Sequence, residues 1–94
     1  MKEVKLTING KEYSKAEPDI QDWFDNIDVQ DKIAEGLNTK EGSMAYFKVV
    51  SSYLSIPQAE MMKHGKLSEV TAAYKAINEN LLECFGVTDE TKNA

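Results

Sequence analysis

The chain has 94 residues, 41% hydrophobic and 29% charged, with a formal net charge of −5 and no arginine. Such a length and composition predict one soluble globular domain, and no apolar run approaches the ~20 residues of a membrane span. Acidity without guanidinium groups disfavours a phosphate backbone as partner, and a lone cysteine beside a start, Met1-Lys-Glu-Val-Lys5, with no signal-peptide pattern predicts a cytoplasmic protein without an internal disulfide.

Val4, Leu6 and Ile8 alternate with Lys5 and Thr7, the period of a half-buried strand. Asn9-Gly10 follows, and these two residue types accept the positive φ that a type I′ turn needs at both central positions. Lys11 to Ser14 then returns, so a hairpin is predicted over about 3–15. A lone hairpin is marginal in water. Its Val4, Leu6 and Ile8 face therefore rests on helices, or its edge pairs with a neighbouring copy.

The acidity lies in the next segment. Residues 17–35 carry seven acids and one lysine, net −6, whereas residues 1–16 carry four lysines and two acids, net +2. Pro18 suits the first turn of a helix, and Glu17, Asp19 and Asp22 put negative charge at its N-terminal end. Ile20, Trp23, Phe24 and Ile27 recur at i, i+3, i+4, i+7, which reads as the core face of a helix over about 18–35. Val29, Ile33 and Leu37 continue in a shifted phase, leaving room for a break near Asp28, and Gly36 and Asn38 signal the end.

Thr39 reads as the N-cap of a second helix, about 40–55. Met44, Phe47, Val50 and Leu54 form its stripe, and Tyr46, Val49 and Tyr53 widen it. Lys48 is the only charge from Met44 to Ile56, so this helix is either central or feeds an interface. Pro57 ends it. A short helix, about 57–64, stops at Gly65. The last helix, about 67–85, carries Leu67, Val70, Tyr74, Ile77, Leu81 and Cys84 at spacings of 3, 4, 3, 4, 3, a seam for core packing. Gly86 caps it, and 87–94 is a polar tail. The predicted fold class is α+β: an N-terminal hairpin and a small bundle of three to four helices.

Few residues invite chemistry. Asp19, Asp22, Asp25, Asp28 and Asp31 fall every third residue, but each step of three drifts about 60° around a helix, so the five share no face. They read as a solvated acidic face or a docking surface for a basic partner, with no metal site. His64 sits beside a glycine in a surface turn and Cys84 on the seam as a small core hydrophobe, so no catalytic pair is expected. Met61 and Met62 suit either an irregular core or an adaptable partner surface.

The ordered blocks "VKLTINGKEY", "PDIQDWFDNID", "SMAYFKVVSSYLSIPQAEMM" and "LSEVTAAYKAINENLLECFG" resemble the tail assembly chaperones of long-tailed phages and prophages of Gram-positive bacteria. The resemblance spans residues 4–86; the first helix is more acidic than that pattern. It implies a non-enzymatic protein of the bacterial host cytoplasm, without cofactor, that binds the long helical tape measure protein and helps bring tail tube subunits to it. The acidic, arginine-free composition and the want of a membrane-length apolar run leave no nucleic-acid or membrane partner expected. The second helix is too apolar to be covered by so short a chain, which points to Tyr46, Val49, Val50 and Tyr53, with Met61 and Met62, as the partner surface. A homo-oligomer built through the hairpin edge is the alternative use of the strands. A second functional class, carried by the acidic segment, is a small phage-encoded inhibitor that binds a basic host protein by imitating nucleic acid.

Overall fold

A computed structural model describes residues 2–34, 39–84 and 86. An antiparallel hairpin, β1 (Val4–Ile8) and β2 (Lys11–Lys15), is followed by α1 (Ile20–Ala34), α2 (Lys40–Leu54), α3 (Gln58–His64) and α4 (Leu67–Cys84), an α+β fold with a small helical bundle. Among the described residues no helix is long and apolar enough to cross a membrane.

The hairpin forms as its turn chemistry dictates. Ile8 pairs with Lys11, leaving a two-residue loop. Asn9 and Gly10 sit at φ 51° and 80°, the left-handed region that a I′ turn requires. Val4, Leu6 and Ile8 are buried while Lys5 and Thr7 are exposed. The inward face lies on the helices, packed with residues of α2, α3 and α4. The Asn80 amide on α4 donates to the Lys2 carbonyl at 2.6 Å and ties the strand's start to the bundle.

The central element is α2. Thr39 caps it, its Oγ1 accepting from the Gly42 N–H at 3.0 Å. Ser55 ends it in the left-handed conformation, with its N–H directed at the last-turn carbonyls. Two residues later Pro57 starts α3. The other helices and β2 all pack on α2, which explains its apolar circumference: Val49, Val50, Tyr53 and Leu54 face several neighbours at once. Val70, Ala73, Ile77 and Leu81 of α4 complete the core with Ile56 and Met61.

α3 stops where Gly65 is needed for space. A Cβ there would lie 2.5 Å from the Met61 carbonyl oxygen, which accepts the Gly65 N–H at 2.8 Å.

Four expectations need correction. α1 starts at Ile20, two residues later than predicted, because Asp19 takes the cap position described below and Pro18 precedes it. The helix is continuous through Asp28. The α4 seam narrows to Val70, Tyr74, Ile77 and Leu81, because the neighbouring elements leave its ends uncovered: Leu67 is 67% exposed and Cys84 lies on the surface. Most consequential, the i, i+3, i+4, i+7 face of α1 is not a core face, as Ile20, Phe24 and Ile27 point to solvent. The predicted stop at Gly36 and Asn38, the last residue of the fourth helix, Phe85, and the polar tail 87–94 lie outside the described residues.

Candidate functional site

Polar residues anchor the inward side of α1, beside Trp23 and Val29, which pack on the core. Asp19 and Asp22 form a reciprocal cap: the Asp22 N–H donates to Asp19 Oδ1 and the Asp19 N–H to Asp22 Oδ2, both at 2.9 Å. Lys15, the last residue of β2, donates to Asp22 Oδ2 at 2.6 Å and to Asp19 Oδ2 at 3.2 Å. Its ammonium also lies 5.0 Å from the centre of the Tyr53 ring, within cation–π range. Burial alone would lower the Lys15 pKa, but the hydrogen bonds and charges of Asp22 and Asp19 outweigh it and hold the ammonium above its ordinary range. Asp19 is held below the usual carboxylate range, first by the Asp22 N–H and then by Lys15.

Asp22 is only 7% exposed and Asn26 6%. Gln30, one turn beyond Asn26, donates to the Tyr74 hydroxyl on α4 at 2.8 Å and to the side-chain Oδ1 of Asn26 at 3.4 Å. Tyr74 stacks on Tyr46 of α2, ring centres 4.1 Å apart, and Phe47 meets Tyr46 edge-on at 5.6 Å. Burial pushes the hydroxyls of Tyr46 and Tyr74 up. Asp22 and Asn26, four apart, thus share the inward face with Val29 on its border.

At about 100° per residue, Ile20, Phe24 and Ile27 then fall on the side of α1 turned away from Asp22 and Asn26. They are 77%, 55% and 45% exposed. Trp23 is half-buried at the border of the stripe. Around it stand Glu17, Asp19 and Asp28, all exposed, while Asp25 accepts from the Gln21 amide at 2.9 Å. The five aspartates are therefore not one solvated face. Asp22 is buried as an anchor, Asp19 is a cap, Asp25 and Asp28 flank the outward stripe, and the side chain of Asp31 lies outside the described residues. Among the described residues no three of His, Cys, Asp or Glu gather in a metal-holding group.

The residues assigned to a partner surface separate into two sets. Val49, Val50, Tyr53 and Met61 are each 4% exposed or less and belong to the core. The assignment fails for them because the hairpin and α4 cover the sides of α2 that seemed to lack a cover. Tyr46 is half-buried on the Tyr74 stack and Met62 is 52% exposed. Met62 shares a shallow groove of about 220 Å³ with Phe47, Gly65, Leu67 and Val70, between α3 and α4. A wider open groove between α1 and α2 is lined by both charges, including Asp25, Asp28, Lys32, Lys40 and Lys48.

His64 and Cys84 are held apart. His64 closes α3 with its Nε2 3.7 Å from Glu60, just before α4 begins, and Cys84 is the last residue of α4. An 18-residue helix separates them by roughly 25 Å.

Sequence reasoning missed the outward stripe because it assigned the right periodicity to the wrong side. The available signal was the competing polar pattern: Asp19 and Asp22 at cap spacing, and Asp22, Asn26 and Val29 as an alternative i, i+4, i+7 face. In comparisons with known protein families, with curated proteins and with solved structures, nothing matches this chain.

Proposed function

We propose that this chain is a non-enzymatic tail assembly chaperone of a phage or prophage, acting in the bacterial cytoplasm on a tape measure protein and on tail tube subunits. One observation carries the reading: large apolar side chains of α1 are presented to solvent while carboxylate and amide side chains of the same helix are turned inward. Contiguous exposed apolar surface of this kind is what protein-binding sites use. The order of the four sequence blocks supports the phage assignment, and the mechanism is physical. Apolar surface on the chaperone covers apolar stripes of a long helical client until the tube closes around it, with no bond made or broken.

Co-expression with a tape measure fragment tests this. The fragment is expected to shift from the insoluble to the soluble fraction with the chain present, and no shift refutes the reading. The exposed carboxylates of Glu17, Asp19 and Asp28 favour a second reading, an acidic inhibitor of a basic host protein. Salt separates the two. Contacts between exposed charges collapse as the screening length shortens, whereas binding through apolar surface survives added salt.

A further inference from the structure

The outward face of α1 has the dimensions of a single-helix docking site. Ile20, Phe24 and Ile27 run along two turns, about 10 Å. From their exposures of 77%, 55% and 45% they present roughly 350 Å², the size of a functional patch on a monomer. A stable dimer covers about 800 Å² per partner, so the patch is too small to hold two copies together by itself. Charge argues the same way. Glu17, Asp19 and Asp28 stand exposed around the stripe, and a second copy laid on the same face would bring both sets of carboxylates together. Anionic lipid and nucleic acid meet the same repulsion. A partner bearing lysine or arginine beside its own apolar stripe gains on both counts: its apolar residues cover Phe24 and Ile27, and its cations lie against Asp28, Asp19 and Glu17.

We infer that the Ile20–Phe24–Ile27 face of α1 docks a basic amphipathic helix, with Phe24 as the central anchor. This rests on the binding-module reading above and names the surface and the chemistry of its occupant. It assigns the acids the role of orienting the partner and the stripe that of holding it, the division of labour expected for helix recognition. The Met62–Leu67 groove is left outside the site because exposed residues of both signs, Glu60, Lys63, Lys66 and Glu69, flank it along the chain and favour no one occupant.

The probe is a synthetic peptide of three heptads with leucine at a and d and lysine elsewhere, titrated calorimetrically against the whole chain. Its counterpart carries glutamate for lysine. The lysine peptide is expected to bind and the glutamate peptide not to. Phe24→Asp is expected to weaken binding at least tenfold although it adds a negative charge, and Ile20→Asp, at the most exposed position, to weaken it less. Met62→Asp leaves it unchanged.

Four results overturn the inference: Phe24→Asp binding as tightly as the native chain or tighter, equal binding of the glutamate peptide, loss of binding in Met62→Asp in place of Phe24→Asp, or sedimentation of the native chain as a dimer that Phe24→Asp dissociates. The two readings fail separately. A tape measure fragment solubilised equally by native chain and Phe24→Asp retains the chaperone and removes the surface. Binding of the lysine peptide without rescue of the fragment retains the surface and removes the phage role.

Discussion

Replacing Lys15 by methionine keeps the aliphatic stem and removes the ammonium that fixes α1. In the native chain that ammonium is 2.6 Å from an Asp22 carboxylate that is itself 7% exposed. Without it, Asp22 keeps the Asp19 N–H and loses its charged partner. A hydrogen bond to a charged group contributes about 1.5–3 kcal/mol, and breaking a fully buried pair costs about 3–5 kcal/mol. Lys15 is 27% exposed, so solvent screens part of the loss and the expected cost is about 2 kcal/mol. For a domain of this size that lowers Tm by roughly 8–16 °C. The contact between Lys15 and the Tyr53 ring is not added, since a methionine sulfur also packs favourably on an aromatic ring.

Thermal and urea unfolding followed by circular dichroism measure the change. Trp23, the only tryptophan, sits half-buried on α1, and its fluorescence reports whether the helix loosens from the bundle. A double-mutant cycle with Asp22→Asn isolates the pair, with a coupling of at least about 1 kcal/mol expected. A Lys15→Met chain within about 0.5 kcal/mol of native, or a cycle without coupling, refutes the claim that this pair anchors the inward side of α1.

The same cluster fixes a pH profile. Asp19 is held below its unfolded value near 3.8, so its contribution is present above that value and is lost as pH falls through the lower folded pKa. Lys15 is held above its unfolded value of 10.5, so its contribution is complete below that value and is lost as pH rises through the higher folded pKa. Urea midpoints measured across pH are expected to fall at both extremes, and Lys15→Met to remove the alkaline arm and shorten the acid arm only in part, since the Asp22 N–H still holds Asp19 low; an unchanged alkaline arm contradicts the assignment. Gly65→Ala places a Cβ 2.5 Å from the Met61 carbonyl oxygen, and the forced backbone shift is expected to cost about 1–3 kcal/mol in a thermal melt. Tyr53 is 2% exposed, and its hydroxyl lies beside the Asn80 side chain without reaching hydrogen-bond geometry. Tyr53→Phe is therefore expected to leave stability unchanged or raise it by up to about 1 kcal/mol, and a loss above that reveals a bond to the hydroxyl.

Strands and helices with local signals were legible in the chain. Asn9-Gly10 can adopt the two positive φ values of a tight hairpin, Thr39 has the side chain its cap needs, and Pro57 divides two helices. The α4 seam was legible at its centre, where Val70, Ile77 and Leu81 are buried. The roll of α1 was legible only as two competing faces, because the choice between them involves Lys15, which comes from a different element and whose approach to Asp22 exists only once the hairpin is docked. Val49, Val50, Tyr53 and Met61 were misplaced for a related reason. Periodicity measures how apolar a helix is, but whether that surface is covered depends on how many neighbours reach it, and α2 is reached by the hairpin and by every other helix.

The docking surface requires Phe24 to lie outside the core, and urea unfolding of two truncations side by side tests that directly. Ile77 is fully buried, and Ile77→Ala is expected to cost about 2–5 kcal/mol. Phe24, 55% exposed, is expected to cost less than about 1 kcal/mol when truncated to alanine. If Phe24→Ala destabilises the chain as much as Ile77→Ala does, the stripe belongs to the interior and the docking surface does not exist.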